Sequence, residues 1–91
     1  MEFRIAIVED NATARTALRG HLMSIANLSV SSFASGVELK AALKKQNFEL
    51  LLMDYHLGEG KSGVEWVQIL RESGFIRPST GIIFLTSDRS P

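Results

Sequence analysis

The stretch Ile5-Ala6-Ile7-Val8-Glu9-Asp10 is a short apolar run, rich in β-branched residues, that stops at two acids. Leu50-Leu51-Leu52-Met53-Asp54 repeats the pattern, and Ile82-Ile83-Phe84-Leu85 ends at the hydroxyls Thr86 and Ser87. Uninterrupted runs of this length suit strands buried on both faces, as parallel sheets require. If the three are neighbouring parallel strands, Glu9, Asp10, Asp54 and Thr86 gather along one edge of the sheet. Open α/β sheets bind their ligands at that edge.

Between the runs the period changes. Ala14, Leu18, His21, Leu22 and Ile25 recur at helical spacing, with Asp10 or Asn11 as N-cap. Residues 28–34 alternate in part and read as a weaker edge strand. Ser35-Gly36-Val37-Glu38 has the form of a capping box and opens a helix through Leu43 to about residue 46. The next strand covers 48–53 and a loop with glycines at 58 and 60 follows. Ser62-Gly63-Val64-Glu65 is a second capping box, and Val64, Val67 and Leu70 give its helix a buried stripe. Trp66 lies off that stripe, as half-buried core or as a contact for a partner. Gly74 suits the C′ position, Pro78 keeps the connection non-helical, and 81–85 form the last strand. The order βαβαβαβ implies an α/β fold with a parallel sheet and right-handed crossovers.

Composition narrows the function. The chain has 91 residues, enough for one small domain, with 45% hydrophobic and 22% charged residues. Ten basic residues balance ten acidic ones with no basic stripe, which argues against nucleic acid or an anionic membrane as partner. The absence of cysteine excludes disulfides and thiolate metal sites. The start Met1-Glu2-Phe3-Arg4 is unlike a secretion signal, and no apolar run nears the roughly 18 residues of a membrane helix. The expectation is a soluble, cytoplasmic, unprocessed protein.

The acids carry the chemistry. Two carboxylates about 4 Å apart repel by roughly 4 kcal/mol at an effective dielectric near 20, so a proton or a divalent cation must relieve them. A donor set of oxygens alone favours a hard ion such as Mg²⁺. An aspartate beside such an ion can act as nucleophile and form an acyl phosphate, with Thr86 placed to hydrogen-bond the transferred group. Each acid alone also reads as an N-cap or turn residue; the joint pattern, closed by Thr86, points to a site.

Other motifs carry less. Gly58-x-Gly60-x-x-Gly63 matches the dinucleotide fingerprint in form, but four residues separate the strand from its first glycine. Gly60-Lys61-Ser62 is not a phosphate loop, because position 55 is tyrosine where that motif requires glycine. His21 reads as a packed or partly exposed histidine, and Lys40, Lys44 and Lys45 as a solvated helix face.

Taken together, Ile7-Val8-Glu9-Asp10-Asn11, Leu51-Leu52-Met53-Asp54-Tyr55-His56-Leu57, Gly63 at a helix start and Ile83-Phe84-Leu85-Thr86-Ser87 resemble the receiver domain of two-component response regulators. The resemblance implies a flavodoxin-like receiver fold: a four-strand parallel sheet of order 2-1-3-4 flanked by three helices. It implies that Asp54 is the phosphoacceptor, charged from a phosphohistidine on a sensor histidine kinase or phosphotransfer protein. Asp10 would bind Mg²⁺ directly, Glu9 mainly through water, Asp54 would share the ion and His56 would offer its backbone carbonyl. Thr86 would be the switch hydroxyl.

Two departures stand out. The loop 57–63 lacks the family's usual proline and is about one residue longer. Residues 1–91 also match only part of a family domain, lacking its fourth helix, fifth strand and fifth helix, together with the lysine that pairs with the phosphoryl group. Lys61 does not occupy that position. The expected function is a phosphorylation-operated switch rather than a turnover enzyme, acting on a partner or an output domain. The alternatives are a pseudo-receiver interaction module without phosphorylation, or an aspartate-nucleophile phosphatase. The latter usually needs a second aspartate where His56 stands. The bare edge 81–85 predicts a homodimer or an element-exchanged dimer.

Overall fold

The apolar runs become the ladder of one sheet. A computed structural model describes residues 2–25, 27–58 and 60–86. Its elements are β1 (Phe3–Val8), α1 (Ala12–Met23), β2 (Leu28–Phe33), α2 (Gly36–Leu43), β3 (Leu50–Asp54), α3 (Gly63–Glu72) and β4 (Gly81–Leu85). The strands are all parallel, in the order β2-β1-β3-β4 that the resemblance implies. The most continuously apolar strands, β1 and β3, lie at the centre. The serine-bearing β2 takes one edge, where its polar groups meet water, and β4 takes the other.

Pleating divides the central strands between two layers. Ala6, Val8, Leu51 and Met53 face α2 and α3, packing with Leu39, Trp66, Val67 and Leu70. Ile5, Ile7 and Leu52 face the other way, against Leu18 and Leu22 of α1. The register pairs Ile5 with Leu50, Ile7 with Leu52 and Val8 with Met53. Continued by one residue, it sets Glu9 beside Asp54 on the α1 side of the sheet, because side chains two apart share a face.

Several boundaries and faces differ from the sequence reading. β3 begins at Leu50 rather than Phe48, because the Phe48 carbonyl is taken by the Thr80 hydroxyl at 2.9 Å instead of by a strand amide. It also includes Asp54, and β2 stops at Phe33. α2 ends at Leu43, short of residue 46, where the Lys45 amide turns back only three residues, to the Ala42 carbonyl at 3.0 Å, and tightens the last turn. α1 has no fully buried residue: Leu18 and Leu22 are half-buried, whereas Ala14, His21 and Ile25 are exposed.

On α3 the buried side chains are Trp66, Val67 and Leu70, and Val64 faces solvent. Trp66 takes the inward position because Gly36, at the start of α2, leaves room for its indole; a β-carbon there would overlap the ring. Helix α3 closes with a Schellman motif. Gly74, at φ 80°, donates to Arg71 (3.0 Å) and Phe75 donates to Leu70 (2.8 Å). No helix among the described residues is long and apolar enough to cross a membrane.

Candidate functional site

At the C-terminal edge of the sheet Glu9, Asp10 and Asp54 converge, each placing a carboxylate oxygen within 4.8 Å of the others. Asp54 is 1% exposed and Glu9 8%, while Asp10 faces solvent. The cause is local. Residues 9 and 54 end or follow the two central strands, whose flanks are covered, and Asp10 steps outward into the turn before α1.

Each acid is held by amides of its own turn or of the facing loop. Glu9 receives the Asn11 N–H at 3.2 Å, and its own N–H donates to Phe33 at 3.0 Å. Asn11, the N-cap of α1, accepts from Ala14 at 2.9 Å, which settles the choice between Asp10 and Asn11. Asp10 accepts from Gly58 at 3.1 Å, fastening the β3–α3 loop across the site. Asp54 accepts the His56 N–H at 3.1 Å. The His56 side chain is exposed and packs edge-on against Tyr55, with ring centroids 4.9 Å apart.

Burial pushes the Glu9 carboxyl up to about 7. Hydrogen bonding with Asp54 and Asp10 adds to this, and the Asn11 amide opposes it. Removing an acid from water disfavours its charged form, and a second acid alongside disfavours it further. The cluster therefore demands a proton or a cation. An oxygen-only donor set with one exposed member, Asp10, fits a hard divalent ion that keeps part of its hydration.

Thr86 is exposed and follows Leu85, the cross-strand partner of Asp54. The Tyr55 amide donates to Leu85 at 2.9 Å, so the ends of β3 and β4 stay joined beside the acids. Ser87 lies outside the described residues, as does the rest of the polar end 87–91. The Lys61 ammonium sits 5.4 Å from the Trp66 ring centroid, a cation–π distance that places it against α3. His21 is exposed near the end of α1 and does not join the acid group. The sequence reading misses the Gly58 amide and Arg15, whose guanidinium donates to the Glu9 carbonyl at 2.8 Å. An arginine one turn into the helix after the acids is the only signal the sequence offers for the second.

The family model of the response regulator receiver domain matches residues 5–91. Among solved structures the chain is similar to the chemotaxis protein CheY4 of Vibrio cholerae, at 25% identity and TM-score 0.84, over 100% of this chain and 73% of that one. It is similar to a response regulator receiver protein from Pseudomonas putida at 24% identity and TM-score 0.83, over 99% and 72%. The response regulator DrrB, a Thermotoga maritima OmpR/PhoB homolog, aligns at 27% identity and TM-score 0.76, over 97% of this chain and 38% of that one. No curated protein matches the sequence.

Proposed function

The chain belongs to the response regulator receiver domain family, and on that footing we propose that it is a phosphorylation-operated switch with Asp54 as phosphoacceptor. The observation that supports this best is the Asp54 carboxylate, 1% exposed at the end of β3 and grouped with Glu9 and Asp10 within 4.8 Å. An Asp54 oxygen attacks the phosphorus of a phosphohistidine on a sensor kinase or phosphotransfer protein. The P–N bond breaks, and the donor imidazole keeps the electron pair and takes a proton from solvent.

Glu9, Asp10 and Asp54, with the His56 backbone carbonyl, would hold Mg²⁺. Bound there, the ion supplies positive charge against the oxygens of the transferred group. Glu9 and Asp10 anchor that charge. The His56 amide orients one Asp54 oxygen (3.1 Å), and the Gly58 amide holds Asp10 (3.1 Å). Thr86 is the hydroxyl that turns toward the acyl phosphate, biasing the surface near β4 that a partner or output domain reads. Turnover chemistry is not part of this reading, and a cytoplasmic location belongs to it. So does self-association along the β4 edge, where Ile83 is 50% and Phe84 37% exposed. Sedimentation as a monomer at high concentration would remove that last element.

Incubation with a small phosphodonor and Mg²⁺ tests the central step. The expected result is a mass gain of one phosphoryl group, labile to base and abolished in Asp54→Ala. A wild-type protein that gains no mass would leave an interaction module without phosphorylation as the better reading.

A further inference from the structure

The Glu9 carbonyl belongs to neither regular ladder. Pairing of β1 with its neighbours ends at Val8, and the helical bonds of α1 begin with the Asn11 carbonyl, which accepts from Arg15 at 2.9 Å. A backbone acceptor at such a junction needs another partner. Here the partner is a side chain: Arg15 Nη1 reaches back from the first turn of α1 to the Glu9 carbonyl at 2.8 Å, and Arg15 is half-buried in doing so.

We propose that Arg15 is a positioning residue for the acid cluster, fixing the Glu9 peptide so that Glu9 and Asp10 stay directed at Asp54. The inference rests on the reading of that cluster as a divalent-cation site. The Glu9 peptide is gripped on both sides, by Phe33 at its N–H (3.0 Å) and by Arg15 at its carbonyl (2.8 Å). That carbonyl shares its peptide plane with the Asp10 amide, so rotation there swings Asp10 away from Gly58 and Glu9 away from the Asn11 amide. The guanidinium touches the backbone rather than a carboxylate, so its contribution is placement. Supports of ligand residues commonly change metal affinity by about 10- to 100-fold.

Two measurements on the whole chain test this, each with Arg15→Met, Arg15→Lys and, as a charge-matched control, Arg19→Met at an exposed position one turn along α1. In the metal-free protein, amide exchange at Asn11 and Gly58 should quicken in Arg15→Met and stay unchanged in Arg19→Met. Calorimetric titration with Mg²⁺ should show binding weakened about tenfold in Arg15→Met, largely restored in Arg15→Lys and unaltered in Arg19→Met. If Arg15→Met does not fold, Arg15→Gln takes its place in both measurements.

Unchanged exchange at both amides overturns the proposal, and so does an unchanged Mg²⁺ affinity where the wild type binds. A wild type that takes up no Mg²⁺, with faster exchange in Arg15→Met, defeats the metal reading and supports the positioning role.

Discussion

The α-carbon of Gly63 lies against the backbone carbonyl of Asp54 so closely that a β-carbon would overlap it and press on the Met53 side chain. The Gly63 amide also donates to Tyr55 at 2.9 Å, drawing the start of α3 onto the strand that carries the candidate phosphoacceptor. The glycine is required by that close approach rather than by an unusual φ. Gly63→Ala should therefore cost about 1–3 kcal/mol, since overpacked sites must shift backbone or rotamers. Urea denaturation measures this; an unchanged midpoint would mean that α3 slides away from β3 without penalty.

The two sequence-predicted capping boxes differ in one arm. Ser62 accepts from the Glu65 amide at 3.1 Å, and the Glu65 carboxylate returns to the Ser62 amide at 3.0 Å. Ser35 accepts from the Glu38 amide at 3.1 Å, but the Glu38 carboxylate reaches Ala34 instead, at 3.2 Å. Ser62→Ala and Ser35→Ala should each cost about 0.5–2 kcal/mol through the lost cap. Glu65→Ala should speed hydrogen exchange at the Ser62 amide, whereas Glu38→Ala should speed it at Ala34. Protection at Ala34 that survives Glu38→Ala would contradict the second assignment.

Thr80 is buried and donates its hydroxyl to the Phe48 carbonyl at 2.9 Å, closing the entry of β3 against the entry of β4. Thr80→Val keeps the shape and removes the donor, leaving a buried acceptor unpaired. The expected loss is about 1–3 kcal/mol, read as a lower Tm. A Tm equal to that of the wild type would mean that water reaches the carbonyl.

That bond also marks where reading from sequence stops. The strands and their parallel sheet follow from short apolar runs and a βαβ alternation, which are local signals. The strand order, and with it the meeting of Glu9 and Asp54, comes from the resemblance to receiver domains. Thr80 sits just before a strand, and nothing local to it shows that it meets a residue 32 positions earlier. Trp66 is similar. The Val64–Val67–Leu70 spacing suggests a stripe, but the space left by Gly36 on α2 decides which side chain turns inward. The acids were legible because they terminate strands. Arg15 and the Gly58 amide were not, since each acts through a partner on another element.

Glu9 makes the site sensitive to pH in a definite direction. Its carboxyl is pushed by burial, and then by hydrogen bonding with Asp54, from the ordinary 4.5 up to about 7. The folded protein thus holds this proton more tightly than the unfolded chain, so the unfolded state binds fewer protons between those values. Stability must then fall as pH rises. The contribution is fully present below about 4.5 and is lost as pH passes through about 7. Metal-free protein should accordingly lose Tm relative to Glu9→Gln across that window and run parallel to it above. A divalent cation replaces the missing proton, so Mg²⁺ should raise the Tm of the wild type more at pH 8 than at pH 5. Thermal melts of both proteins in chelator, and again in Mg²⁺, measure the two differences. A wild-type minus Glu9→Gln difference that stays flat from pH 4.5 to 8 would mean that Glu9 remains ionised beside Asp54 without penalty, and the electrostatic demand for a cation at this edge would fall with it.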